Sequence, residues 1–239
     1  MIMKKNIFLL LAALCVLAAF TACDNASEIV TEEYIKEKVD TSDNNQGGDQ
    51  GGGQGIENYQ AVDLGLSVKW ANKNYGAGSR WNVGYYMTFG CIDPNDLSAK
   101  KPDTGGDNIA GTKLDVATMQ LGSGWVIPNR EQLKELCDEC SWKSSTQNNV
   151  SGFQVTGPNG NSIFIPLSGY MPSYSNSFYD TEYAYLMSSE YSYYSYGSSI
   201  RPYYLKVYEN DGFLVVFNSG SSDFPRGSYR MPIRPIYTK

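Results

Sequence analysis

Histidine is absent from the 239 residues, and its absence removes several chemistries at once. No Ser-His-Asp or Cys-His nucleophile can be assembled, no His-liganded zinc site can form, and no imidazole can carry a proton near neutrality. Cys137 and Cys140 are spaced Cys-x-x-Cys, which suggests redox chemistry in a cytosolic βαβ context or zinc in a four-cysteine set. Neither context surrounds them. Both lie on the apolar face of a predicted helix, so they read as core thiols, while a disulfide from Cys91 to one of them stays open in an oxidising compartment. Asp180, Glu182, Glu190, Glu209, Asp211 and Asp223 could supply the paired carboxylates of a glycosidase, yet no spacing singles out two. Asp93-Pro94-Asn95-Asp96 and the group Asp103, Asp107 and Asn108 carry oxygen ligands suited to a hard cation, and both read as turns. The expectation is a non-enzyme with no metal and no cofactor.

Tyrosine is the more informative chemistry. Between Tyr170 and Tyr208 lie 12 of the 19 tyrosines, interleaved with Ser, Asn, Asp and Gly. Tyrosine gives a large amphipathic contact at low side-chain entropy cost, and small polar residues adapt around it, a mixture that antibody paratopes exploit. Residues 189–199 lack a strand's apolar alternation and read as an exposed loop or a solvated strand edge. Tyr179, Asp180, Tyr191, Tyr193, Tyr194 and Tyr196 are the candidate ligand contacts. Tyr203, Tyr204 and Tyr208 read instead as packing on a half-buried sheet.

The elements that position these residues are mostly short strands. Ala61–Gly65 and Ser67–Ala71 are strand-like and bounded by turn residues. Gly152–Thr156, a Gly-Pro-Asn-Gly turn and Ser162–Pro166 read as a hairpin, and so do 203–208 and 213–217 around Asp211-Gly212. One helix is predicted from Asp115 through Met119, with Gly122 beyond its end. A second starts at Pro128-Asn129-Arg130-Glu131 and places Leu133, Leu136, Cys137 and Cys140 on one face. Few helices among many strands predict an α+β domain over 57–239.

The N-terminus has a different character. Lys4 and Lys5 precede an apolar run from Ile7 to Ala22, too short to span a bilayer comfortably and flanked as a secretory signal is. The run ends Phe20-Thr21-Ala22-Cys23, which resembles the lipobox of bacterial lipoproteins, with Phe20 where Leu is usual. The resemblance implies cleavage after residue 22 and lipid on Cys23, hence a membrane partner through that anchor. Several acyl chains at roughly 0.8 kcal/mol per buried CH₂ would hold firmly. Losing Lys4 and Lys5 from 19 basic residues leaves 17 against 25 acidic ones, a net charge of −8, so no basic field exists for nucleic acid. Residues 23–56 read as a flexible acidic and Gly-rich tether, because they cannot bury enough apolar surface to offset ordering. As a coil they would span roughly 30 Å.

Beyond the tether, several separated motifs occur in a familiar order: Ala61-Val62-Asp63-Leu64-Gly65-Leu66-Ser67-Val68-Lys69-Trp70-Ala71, Gly111-Thr112-Lys113-Leu114-Asp115, Gly124-Trp125-Val126-Ile127-Pro128-Asn129, Cys140-Ser141-Trp142, Gly160–Pro166, Gly169-Tyr170, Ser188-Ser189, Tyr203-Tyr204-Leu205 and Ile233-Arg234-Pro235-Ile236. They resemble the Fibrobacter succinogenes major paralogous domain, abundant in exported proteins of Bacteroides-like bacteria. That resemblance implies a C-type lectin-like domain with two helices, a small twisted antiparallel sheet and long loops, serving as a binding scaffold. Formylglycine-generating enzymes share the fold but use a late cysteine pair, and no cysteine follows Cys140 here. The Glu-Pro-Asn or Gln-Pro-Asp and Trp-Asn-Asp motifs of calcium-dependent lectins are also missing. Arg234 matches the resemblance's closing Arg-Pro and is expected to pair with a carboxylate, Glu131 or Glu135.

The function expected from these features is a membrane-anchored extracytoplasmic binding module that takes a glycan or protein ligand through its Tyr-rich loops. A structural or tip subunit of a fimbria or outer-membrane complex is the alternative. The cell envelope, at the outer membrane and facing the periplasm or the exterior, is the expected location. Replacing Cys23 with Ser is expected to move the chain from the membrane fraction to the soluble fraction, as read by fractionation and immunoblotting. A variant that stayed membrane-bound would remove the lipid anchor from consideration.

Overall fold

The computed structural model describes residues 58–103, 105–193, 200–209, 213–217 and 229–239, with the backbone alone at Tyr193, Glu209 and 213–217. The expected leader, Cys23 and the tether lie outside the described residues, as do Tyr194, Tyr196 and Asn210-Asp211-Gly212.

The domain begins and ends in one sheet. β1 (Ala61–Val62) pairs with β2 (Lys69–Ala71), and β13 (Ile236–Tyr237) lies between β2 and β4 (Trp125–Val126), giving the order β1-β2-β13-β4. Asp63 Oδ1 accepts from the Gly65 amide at 2.8 Å and tightens the β1–β2 connection. A second sheet joins β3 (Met87–Thr88), β12 (Tyr229–Met231) and β8 (Met171–Pro172) in that order.

The longer ladders are two hairpin-based sheets. β5 (Ser141–Gln147), β6 (Val150–Thr156) and β7 (Ser162–Pro166) form a meander. Asn148 and Asn149 both have positive φ, 50° and 61°, the mirror-image turn that matches strand twist and that Asn tolerates. The β6–β7 turn is anchored by Asn159 and Asn161, whose side-chain amides both donate to the Asp63 carbonyl, at 2.9 and 2.8 Å. Gly157 is required there, since a Cβ would meet the Leu64 carbonyl oxygen at 2.0 Å. β9 (Ala184–Tyr193), β10 (Ile200–Glu209) and β11 (Phe213–Phe217) make the other sheet, ordered β11-β10-β9 with a register shift between Pro202 and Tyr204.

Two helices complete the described residues. α1 (Val116–Leu121) is capped by buried Asp115, whose Oδ1 accepts from the Ala117 and Thr118 amides, and it stops at Gly122 with φ 88°. Burial pushes the Asp115 carboxyl up, and backbone donors, Gly111 and Ile127 foremost, pull it back. α2 (Arg130–Glu139) starts with a reciprocal Asn129–Gln132 capping box and buries Leu133 and Leu136. The domain is therefore α+β, with small antiparallel sheets and two helices among the described residues. None of those helices is long and apolar enough to cross a membrane.

Two apolar clusters fill the interior. One gathers Trp70, Leu133, Leu136, Trp142, Phe153 and neighbours beneath α2 and the meander. The other gathers Met87, Phe89, Ile109, Val116, Tyr185, Tyr191, Tyr204 and neighbours.

Arg234 is wholly buried, and the expected carboxylate is not what it bonds. Its Nε donates to Asn74 Oδ1 at 2.7 Å, and its two Nη atoms donate to the carbonyls of Ala71 at 3.0 Å and Phe164 at 2.6 Å. Glu135 instead accepts from the Ser67 amide and hydroxyl at 2.8 and 2.6 Å. Burial pulls the guanidinium down to about 9, so it stays charged at neutral pH. A planar fork of donors meets three separate oxygens that an ammonium cannot reach together. Arg234→Lys is expected to cost about 2 kcal/mol and Arg234→Ala at least about 3 kcal/mol in urea unfolding, by loss of charge-assisted bonds and cavity formation.

Candidate functional site

The segment 170–185 carries the first two sequence-selected residues, Tyr179 and Asp180, and folds as a closed excursion. Tyr170 and Tyr179 exchange backbone hydrogen bonds at 3.0 and 2.9 Å. The Tyr183 carbonyl accepts from the Ser168 and Gly169 amides, and the Tyr183 amide donates to Asp180 O at 3.0 Å. Gly169 sits at φ 59°, and a Cβ there would meet the Tyr179 carbonyl oxygen at 2.1 Å, so only glycine lets the two ends of the excursion approach. Arg230 donates to Ser175 O at 3.1 Å and Asn176 Oδ1 at 3.3 Å, holding the excursion's middle.

On this base the tyrosines form a run of ring contacts. Tyr174 meets Tyr229 edge-on at 6.4 Å, Tyr229 stacks on Tyr170 at 5.3 Å, and Tyr170 meets Tyr185 at 5.5 Å. Tyr185 meets Tyr183 at 6.4 Å, and Tyr183 meets Tyr208 at 5.0 Å. Tyr179 stacks on Tyr170 at 5.7 Å, and Phe178 leans on Tyr86 at 5.1 Å. At the outer end Tyr174 is 76% exposed, Phe178 52% and Tyr179 43%.

Asp180 is a positioning residue in this arrangement. It adopts φ 52°, accepts from the Tyr185 hydroxyl at 2.7 Å, and pairs with Lys206 Nζ at 2.8 Å. Lys206 also lies 3.7 Å from the Tyr183 ring centroid, a favourable cation–ring contact. Burial alone would raise the Asp180 carboxyl, but the Lys206 ammonium and the Tyr185 hydroxyl outweigh it and hold it below its ordinary value. Burial, with the Asp180 bond, pushes the Tyr185 hydroxyl far upward, so it remains a donor.

At the inner end of the run an open groove of about 590 Å³ adjoins Glu182, Tyr183 and Tyr208. Ser144, Ser145 and Thr146 of β5 and Ser151 of β6 also line it. Glu182 is the one carboxylate among the described lining residues.

The other expected contacts separate. Tyr191 does not belong to an exposed loop: it lies in β9, is 2% exposed, packs edge-on against Phe89 at 5.3 Å, and donates to Gly106 O at 2.6 Å. Strand pairing with β10 turns this residue inward, which the polar composition of 189–199 concealed. Tyr193 is in β9 as backbone, and Tyr194 and Tyr196 lie outside the described residues. Tyr204 is buried, as expected of sheet packing, whereas Tyr208 lines the groove. Ser144–Thr146 were not singled out from the sequence. The Asn148-Asn149 pair was the available signal that a polar stretch folds back as a hairpin.

The cysteines and cation candidates resolve simply. Cys91, Cys137 and Cys140 are free thiols, and burial pushes Cys91 and Cys140 up to about 11 and Cys137 to about 12. Thiols so protonated are poor nucleophiles. Asp93 and Asp96 accept from the amides of Asn95 and Ser98, Asp96 pairs with Lys100, and Asn108 accepts from the Ala110 amide, all turn contacts. Among the described residues no group of three or more His, Cys, Asp or Glu side chains could hold a metal ion.

Comparisons with protein-family models, with curated proteins and with solved structures return no match.

Because Asp180 is held below its ordinary value, its stabilising contribution is complete above the unfolded-chain value of about 3.9 and is lost as pH falls through the lower folded value. The expected outcome is faster exchange of the Tyr183 amide as pH drops below about 4, beyond the intrinsic pH effect. In Asp180→Asn that acid-induced step should vanish while exchange at neutral pH is already faster.

Proposed function

We propose that this chain is a lipid-anchored recognition module of the bacterial cell envelope. In this reading it is held by Cys23 and a polar tether, and its domain is a C-type lectin-like member of the Fibrobacter succinogenes major paralogous family. Two helices, small antiparallel sheets and long irregular segments support the lectin-like arrangement. The motifs from Ala61 to Ile236 support the family.

One observation carries the recognition role. A run of mutually packed tyrosines ends in exposed Tyr174, Phe178 and Tyr179 on one side and in an open groove on the other. Contacts with the half-buried rings of Tyr229, Tyr86 and Tyr170 hold Tyr174, Phe178 and Tyr179 in place before any ligand arrives. Preorganisation of that kind lowers the ordering cost of binding. Tyrosine is enriched among interface hot spots, and aromatic residues, phenylalanine included, are enriched at interfaces.

The test is a screen of the full chain, purified in detergent, on glycan and protein arrays. Binding to at least one class is expected. It should weaken at least about tenfold when Tyr174, Phe178 and Tyr179 are together replaced by Ser, the sum of lost aromatic contacts, with the melting temperature little changed. Failure to bind any array member, together with a stoichiometric envelope protein copurifying with the chain, would replace recognition with the structural-subunit role.

A further inference from the structure

We infer that the groove between the β5–β6 hairpin and the Glu182–Tyr183 turn is a binding site for a neutral glycan, an inference that rests on the recognition role proposed above. Its volume of about 590 Å³ lies within the range of small-ligand sites, and being open it admits a chain as readily as a terminal sugar.

The lining has the two chemistries that a sugar ring presents. A pyranose has apolar C–H faces and a rim of hydroxyls that both donate and accept. Tyr183 and Tyr208 line the groove, and a tyrosine ring offers an apolar body with a polar hydroxyl at its edge. Thr146 and its cross-strand partner Ser151 supply hydroxyls on two adjacent strands. Each such hydroxyl can donate or accept as its partner requires, and Glu182 adds a strong acceptor. Directly opposed residues of two paired strands share a face, so Thr146 and Ser151 present their hydroxyls on the same side of the hairpin.

The rings are also fixed. Lys206 covers Tyr183 at 3.7 Å and is itself bonded to Asp180, while Tyr208 meets Tyr183 at 68° and 5.0 Å.

Charge selects among glycans. The described lining residues include no Lys or Arg, and the nearby Lys206 ammonium is engaged by Asp180 and the Tyr183 ring. An anionic sugar would meet the Glu182 carboxylate, and the Lys206 ammonium beside Tyr183 is already paired with Asp180. A neutral sugar meets only acceptors and donors it can satisfy. A protein partner fits less well, because hot spots need accessible apolar pockets. The apolar groups beneath this groove are already committed: Phe153 is 2% exposed and Leu167 packs on the core.

The experiment is affinity electrophoresis of the full chain in gels containing β-glucan, mannan, xylan or galactan, with polygalacturonate and hyaluronan as anionic contrasts. At least one neutral polymer is expected to retard the chain, and neither anionic polymer should. Tyr208→Ala and Tyr183→Ala should each weaken the interaction about tenfold. Ser144→Trp, at an exposed strand position, should block the groove without loss of melting temperature, which keeps the test valid if a Tyr183 variant unfolds. Met119→Ser, on the exposed face of α1, should change nothing. Retained affinity in Tyr208→Ala and Ser144→Trp, or preference for an anionic polymer, would overturn the inference. If affinity instead falls only in the Tyr174, Phe178 and Tyr179 variant, recognition stands and the groove is excluded. If no polymer retards the chain while a protein array member binds, the groove inference alone fails.

Discussion

A single buried guanidinium joins parts of the chain that are otherwise far apart in sequence. Arg234 reaches Ala71 at the end of β2, Asn74 in the following irregular segment, and Phe164 in β7. These contacts bridge separations of 163, 160 and 70 residues. The sheet that contains β1 and β13 has only two- and three-residue strands, too few ladder bonds to hold a domain's ends together alone. A charge in the interior is costly unless its hydrogen bonds are satisfied, so the carbonyls around Arg234 are constrained to converge on it. That constraint is what lets short strands and long irregular connections adopt one arrangement.

The tyrosine strip depends on that frame. β12 precedes Arg234 directly and supplies Tyr229 to the ring run. β9 and β10 supply Tyr185, Tyr204 and Tyr208, and their ladder brings Lys206 beside Tyr185 in register. Tyrosine suits this position for two reasons at once. Its ring packs like a core residue, while its hydroxyl can be left in water or satisfied locally, as Tyr185 is by Asp180 and Tyr191 is by Gly106. The same residue type can therefore be core in one register and surface in the next, with no change of composition.

That ambiguity explains which readings of the sequence succeeded. The starts of both helices were visible because capping is local: Asp115 and Asn129 act on backbone groups within a turn, while the reciprocal bond from Gln132 came from the structure. The β6–β7 hairpin was visible because alternation and a Gly-Pro-Asn-Gly turn are local too. β5 was not, because Ser-Trp-Lys-Ser-Ser-Thr-Gln has no apolar alternation and owes its conformation to pairing with β6. Tyr191 was misplaced because its burial comes from β10 and Phe89, and nothing within its own segment reports them. Arg234 was singled out correctly as special, but its partners were guessed from charge when the actual acceptors are backbone and amide oxygens.

By itself the sequence determined what the chain cannot do and what its local elements are. Having no histidine forecloses whole classes of catalysis, Asp115 and Asn129 start helices, and the abundance of tyrosine announces aromatic surface. Only the tertiary structure decided which tyrosines reach solvent, that Asp180 is bound by Lys206, and that hydroxyls of β5 and β6 share a groove with Tyr183 and Tyr208. The physical reason is that capping and turn energies are set by neighbours a few residues away. Burial and groove formation are set by surfaces that meet only after strands distant in sequence have paired.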